Sequence, residues 1–127
     1  MYVNYKYLPW IIIDISDGLY ELQGTGKTWL CKSLRNMYNH GEKVLGYSYD
    51  DYKAGIDLAE LLNKDPDLEV LMIDRYIMFD GKYENEIIKY SQHCIVLMDD
   101  KTRNYCPEYV LIHARQNQIW VTDSFYI

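Results

Sequence analysis

The sequence predicts an α/β domain: a three-layer arrangement in which a mostly parallel sheet is flanked by helices, with a C-terminal β-hairpin. Three observations predict it. Residues 68–73 (LEVLMI) and 94–98 (CIVLM) are nearly continuous apolar runs, the pattern of strands buried on both faces. Strand-like and helix-like segments alternate along the chain, as right-handed crossover connections require. A length of 127 residues, 49% of them hydrophobic, suffices for one core and is too short for two, so residues 1–127 read as a single domain.

Each element has its own signal. Residues 11–15 are extended, Ser16-Asp17-Gly18 supplies a tight turn, and residues 19–23 form a second extended segment before a glycine-rich loop opens at Gly24. From Lys27 to about Asn39, the apolar residues Trp29, Leu30, Leu34, Met37 and Tyr38 recur at helical spacing, and Asn39-His40-Gly41 is a stop signal. Residues 43–49 (KVLGYSY) have strand character and run into Asp50-Asp51. A polar stretch follows, then a helix over 56–63 with Leu58, Leu61 and Leu62 on its apolar face. Asp65-Pro66-Asp67 punctuates the chain before the apolar run that closes on Asp74. Residues 84–90 read as a short helix and 94–98 as a buried strand. Residues 109–114 and 118–122 read as the terminal hairpin.

Composition narrows the function classes. No apolar run approaches the roughly 20 residues that cross a bilayer, and the N-terminal residues carry no secretory signal, so a cytoplasmic protein without a membrane span is expected. Thirteen Lys plus Arg against nineteen Asp plus Glu leave a net charge of −6, which repels a phosphate backbone and argues against nucleic-acid binding through bulk charge. An acidic surface suits a basic groove on a partner, or simply solubility. Cys31, Cys94 and Cys106 form an odd set without close pairing, as in a reducing compartment. With His93 and His113, the last two cysteines match no familiar zinc spacing. Fourteen tyrosines stand out. Tyr47 and Tyr49 alternate as one face of a strand, and an exposed aromatic surface that adds Tyr52, Tyr2, Tyr5 and Tyr7 is the alternative.

The residues that carry chemistry begin with Gly24-Thr25-Gly26-Lys27-Thr28, between an expected strand and an expected helix. Glycines at a strand-to-helix turn allow close backbone approach, aim amide N–H groups inward and present a positive helix end, which is what a phosphate needs. Lys27 adds a point charge and Thr28 a hydroxyl at the first helical turn. This segment resembles the Walker A loop of the P-loop NTPases, except that Glu21 stands at the position of that pattern's first glycine. Val70-Leu71-Met72-Ile73-Asp74, 47 residues after Lys27 at its aspartate, resembles the Walker B strand.

The resemblance implies a minimal P-loop domain, similar in strand order to RecA-like and ABC-like ATPase cores, that binds ATP or GTP with Mg²⁺. Gly24, Thr25, Gly26, Lys27, Thr28 and Trp29 would bind the nucleotide, and Thr28 and Asp74 the metal. In the additional-strand branch a glutamate often follows the Walker B aspartate, but here Arg75 does. RecA-like members carry the water-orienting acid after the next strand, which nominates Asp50 or Asp51 as catalytic beside Lys27. Slow or partner-activated nucleotide hydrolysis follows, with a site completed by a protein partner or a second copy.

Two other readings remain open. One is a small acidic interaction protein, of mobile-element or phage type, that occludes a partner on a degenerate P-loop scaffold. The other is a small nucleotide kinase, since Asp74-Arg75-Tyr76 resembles the Asp-Arg-Tyr of thymidylate kinases, where the arginine helps bind the substrate nucleotide. Asp99 and Asp100 follow the run 94–98, where a solvated loop competes with a phosphate sensor, and nothing in their spacing selects Arg103 or Arg115.

Overall fold

A computed structural model describes residues 8–15, 27–87, 91–98, 106–110 and 118–121. Its centre is strand β1 (Leu8–Asp14), whose β-branched Ile11, Ile12 and Ile13 suit a pleated surface covered on both sides. It is followed by α1 (Lys27–Asn39), β2 (Val44–Tyr47), α2 (Tyr49–Lys53), α3 (Leu58–Lys64), β3 (Val70–Ile73), a 3₁₀ turn (Tyr76–Phe79), α4 (Glu84–Ile87), β4 (Ser91–Leu97) and β5 (Gln118–Val121). The strands form one sheet in the order β2-β3-β1-β4-β5, and every neighbouring pair is parallel. Ile13 pairs with Ile73 on one side and with Val96 on the other.

Alternation along the strands sorts residues to two faces. Ile11, Ile13 and Ile15 join Leu45, Tyr47, Leu71, Ile73, Cys94 and Val96 in the larger core, under residues of α3, the 3₁₀ turn, α4 and the helical residues 108–110. Ile12, Met72, Ile95 and Leu97 face the other way and meet Leu30, Cys31 and Leu34 of α1. Connection direction explains the division. The chain moves outward from β1 to β2, and every later connection runs back across the sheet, so right-handed crossovers pass over the opposite face. Among the described elements, α1 alone covers its side.

Helix α1 spans the expected residues, but its buried stripe is Leu30, Cys31 and Leu34, while Trp29 and Met37 face solvent. It ends as the sequence indicates. The Gly41 N–H donates to the Tyr38 carbonyl and the Glu42 N–H to that of Met37, with Gly41 at φ +91°, a left-handed helix cap. Seating α1 on β2 depends on Gly46. A Cβ there would lie 1.9 Å from the Cys31 carbonyl oxygen and 3.1 Å from the Arg35 amide nitrogen.

Two expectations are corrected. The stretch after β2 is not polar coil leading to one helix. Ser48 caps a short helix, α2, holding Asp50 and Asp51, and Asp57 caps α3 by accepting the Ala59 N–H at 3.2 Å. The C-terminal hairpin is not formed by the described residues, because residues 108–110 are helical and β5 pairs in parallel with β4. Tyr109 and Val110 instead serve the larger core from a helical turn, Val110 fully buried and the Tyr109 hydroxyl 2.9 Å from that of Tyr76. A short apolar run reads equally as strand or helix, which is why alternation misled there. The turn at 16–18, the segment 19–23 and residues 2–7 lie outside the described residues.

The described tyrosines are mostly structural. Tyr52 stacks on Phe79 with ring centres 4.9 Å apart, and Tyr47 meets Phe79 and Tyr83 edge-on. The Tyr83 hydroxyl donates to Asp57 at 2.5 Å and accepts the Leu58 N–H. Tyr47 donates to the Ile56 carbonyl, and Tyr38 reaches from α1 to Asp65 at the end of α3. Burial pushes the Tyr47 and Tyr38 phenols up from 10.0 to about 12, helped by the charges of Asp51 and Asp57 for Tyr47 and by the bond to Asp65 for Tyr38.

Two outcomes follow. Gly46→Ala should cost more than about 2 kcal/mol in urea denaturation, since the clash is with helix backbone that no rotamer change relieves. A raised phenol stabilises the fold fully below its unfolded value of 10.0 and loses that contribution as pH climbs through its folded value of about 12. Urea midpoints should therefore fall across that window, and less steeply in Tyr47→Phe.

Candidate functional site

All five described strands run in parallel, so their carboxyl ends share one edge. The strand order reverses at β1, with β2 and β3 on one side and β4 and β5 on the other. Open α/β sheets bind ligands outside such a switch point.

Asp74 follows β3 at this edge. It is 4% exposed, its N–H donates to the Tyr47 carbonyl at 3.1 Å, and its side-chain Oδ1 is buried with no hydrogen-bond partner among the described residues. Asp14 ends β1 and is fully buried. It lies one residue beyond the Ile13–Ile73 pair, beside Asp74. Counting in twos from Ile12 and Met72 puts both aspartates on the face that α1 covers. Cys31 of α1 reports the same neighbourhood. Its thiol pKa is pushed far up by burial first, then by the negative charges of Asp74, Asp51 and Asp14, with partial relief from a hydrogen bond to the Asp74 backbone.

The two nominated catalytic acids have separate positions. Asp51 completes a capping box on α2: its Oδ2 accepts the Ser48 N–H at 2.9 Å while Ser48 Oγ accepts the Asp51 N–H at 3.1 Å. The same Oδ2 lies 3.6 Å from Arg35 Nη1 of α1, which ties α1 to α2. Asp50 projects outward, its side chain 80% exposed against 21% for Asp51, with Lys53 Nζ 3.9 Å away. Asp51 thus faces the cluster under α1, and Asp50 does not.

Lys27 opens α1 and Thr28 follows it in the first turn, with no acidic residue to compete for that turn's free N–H groups. Trp29 stands 65% exposed beside them. Gly24, Thr25 and Gly26 lie outside the described residues, as do Asp99, Asp100, Arg103, Arg115 and His113. Arg75 adopts a left-handed backbone at φ 55°, and its Nε is buried with no hydrogen-bond partner among the described residues. His93 packs against Trp10 with ring centres 4.6 Å apart. Cys31, Cys94 and Cys106 are free and buried, and burial raises the Cys94 and Cys106 thiols to about 12 and about 11. Among the described residues, no group of three His, Cys, Asp or Glu is placed to hold a metal ion by itself.

A cleft of about 370 Å³ lies at the opposite edge, between the end of α1, the end of α3 and the starts of β2 and β3. Its charges largely answer one another, Lys43 Nζ standing 2.9 Å from Asp67. It is lined by none of Asp14, Asp51 and Asp74, and chemistry favours their edge.

Sequence reasoning missed Asp14, Cys31 and Arg35. Asp14 had a legible signal. Trp10-Ile11-Ile12-Ile13-Asp14 repeats the form of Val70-Leu71-Met72-Ile73-Asp74, and the structure pairs the two runs from Trp10–Val70 to Ile13–Ile73.

No family model, curated protein or solved structure matches the chain. Among the described residues, no helix is long and apolar enough to cross a membrane.

The divided roles of the two acids are measurable. Asp51→Ala should lose about 1 kcal/mol of stability through the vacated cap, while Asp50→Ala should stay within about 0.5 kcal/mol of wild type, both read from urea midpoints.

Proposed function

We propose that the chain binds a nucleoside triphosphate with Mg²⁺ at the carboxyl edge of its sheet. The observation that carries this reading is the setting of the glycine-rich segment. It leads from the central strand into α1, next to the strand that ends in buried Asp74. The amides of Gly24, Thr25 and Gly26 with Lys27 would hold the phosphates, and Trp29 offers an exposed ring beside them. Thr28 and Asp74 would hold the metal, which when bound neutralises phosphate charge. Asp74 Oδ1, buried and without a hydrogen-bond partner among the described residues, fits a hard cation.

The arrangement supports binding more than fast hydrolysis. Asp51 is spent on the α2 cap and Arg35, and Asp50 is turned to solvent, so neither carboxylate stands ready to orient water. A completed site would draw on a protein partner or a second copy.

A second reading, phosphoryl transfer to another nucleotide, draws on Arg75. Its buried Nε, without a partner among the described residues, suits an anion, and its left-handed backbone directly follows Asp74.

Calorimetry with ATP and GTP in Mg²⁺ tests the first reading. Micromolar binding is expected in wild type, with a loss of at least about tenfold in Lys27→Ala. Absence of binding in wild type would favour an acidic interaction protein on a degenerate loop. In Arg75→Ala, nucleotide binding that survives while transfer to an added nucleoside monophosphate is lost would favour the kinase.

A further inference from the structure

Helix α1 turns a patterned surface to solvent on the side away from the sheet. We propose that this outer face docks an acidic amphipathic helix of a partner protein, seated on Trp29, Ser33 and Met37 and attracted by Lys32. Lys32, Ser33 and Met37 belong to none of the residues assigned to the phosphates or the metal, so docking here does not depend on nucleotide binding.

Three observations carry it. The first is exposure. Trp29 and Met37 are two of the three large hydrophobic side chains that stand exposed among the described residues, at 65% and 42%, and both lie on this helix. Apolar residues exposed singly are ordinary, whereas a tryptophan and a methionine on one helix face have the composition of an interface core.

The second is shape. Residues four apart on a helix form ridges. Trp29, Ser33 and Met37 make one ridge, and exposed Lys32, Asn36 and His40, the last just past the final turn, make the ridge beside it. Small Ser33 leaves a dip between two large side chains whose backbone positions are about 12 Å apart along the axis. Such a dip receives one apolar side chain of a facing helix.

The third is charge. Helix α1 carries Lys27, Lys32 and Arg35 and no acid, in a chain whose net charge is −6. Arg35 is answered by Asp51 at 3.6 Å, but Lys32 forms no ion pair with a described carboxylate. A basic ridge beside an apolar one complements a helix with carboxylates flanking an apolar stripe.

Size and charge together select this occupant. From Trp29 to His40 the ridges run about 16 Å and are about 10 Å wide, far short of the roughly 800 Å² per partner of a stable domain interface. A single helical segment fits that footprint. A second copy meeting through the same face would bring Lys32, next to central Ser33, near its own counterpart, and the net charge of −6 on each copy adds repulsion. A phosphate backbone would meet Lys32 but gain nothing from Met37.

The test uses the full chain without nucleotide and a synthetic helical peptide of about five turns. The peptide carries leucine at every third or fourth position, glutamate on the flanks of that stripe and alanine elsewhere. Two control peptides replace glutamate by lysine, or leucine by alanine. Binding is followed by calorimetry and by the amide chemical shifts of the protein. Saturable binding of the glutamate peptide is expected, with the largest shifts over residues 29–40, and neither control should bind comparably. Met37→Ala and Ser33→Phe should each weaken it at least about fivefold. Lys32→Glu should weaken it as much and gain affinity for the lysine peptide. Trp29 is left unaltered, because the nucleotide reading also uses its ring.

Circular-dichroism melts matched to wild type establish that each variant folds; should Met37→Ala or Ser33→Phe fail to fold, the charge exchange at Lys32 decides. Wild-type affinity in Met37→Ala or in Lys32→Glu, or no binding of the glutamate peptide to wild type, overturns the proposal. Concentration-dependent dimerisation in sedimentation that Met37→Ala abolishes overturns it in favour of a second copy. Binding of a single-stranded oligothymidylate that Lys32→Glu abolishes, with no peptide bound, overturns it in favour of nucleic acid. Absence of ATP binding in wild type with the peptide bound overturns the nucleotide reading and leaves this one standing.

Discussion

Strand β1 lies between β3 and β4, hydrogen-bonded in parallel to both, and the remainder of the architecture is organised around that position. A strand paired on both edges and covered on both faces must be apolar, as Ile11, Ile12 and Ile13 are, until it reaches the sheet's edge. There the constraint relaxes, and Asp14 appears. The same holds one strand away, where Val70 to Ile73 gives way to Asp74. Parallel pairing therefore does more than hold the core together. It delivers two polar residues from distant sequence positions to one level, beneath one helix.

The helix that covers them is fixed by a close backbone approach. Gly46 lets α1 settle on β2 with the Cys31 carbonyl where a side chain would otherwise stand, and Arg35 reaches across to the Asp51 cap of the next helix. Most of the described aromatic side chains lie on the opposite face, where Tyr47, Tyr52, Tyr76, Phe79 and Tyr83 fill the larger core. The domain thus separates its labour. One face is a broad packed layer. The other carries a single described helix, whose first turns adjoin the carboxylates. The main aromatic packing and the buried aspartates thus lie on different sides of the same sheet.

How much of this was legible in the sequence varies by residue. Buried parallel strands announce themselves, and β3 and β4 were found because LEVLMI and CIVLM leave no solvent face. The stop of α1 was legible in Asn39-His40-Gly41, since few residues but glycine accept φ +91°. Asp74 was found through its motif. Asp14, with the same four-apolar prelude, read only as the residue that interrupts a hydrophobic run, because nothing local says that its strand lies beside β3. Residues 49–53 escaped for a related reason: a five-residue helix depends on its capping box and on docking to the 3₁₀ turn, and has too few residues for periodicity to register.

Trp29 and Met37 show the limit most plainly. Their spacing counts them with Leu30 and Leu34 as one apolar face, yet both are exposed and Cys31 takes the buried place. Helical periodicity determines which residues share a stripe only to within the width of that stripe. Which edge of it turns inward was decided by contact with Gly46, a residue whose significance is invisible until β2 passes under α1. By itself, the sequence determined the class of fold, helix α1 and the apolar strands that end in aspartate, because burial and local turn chemistry act within a few residues. Only the tertiary structure decided that β1 and β3 are neighbours, that Asp51 is drawn to Arg35 while Asp50 faces water, and that Asp14 stands beside Asp74. Strand order is a choice among global arrangements, settled by the handedness of the crossovers and the packing of helices, and no short window of residues records it.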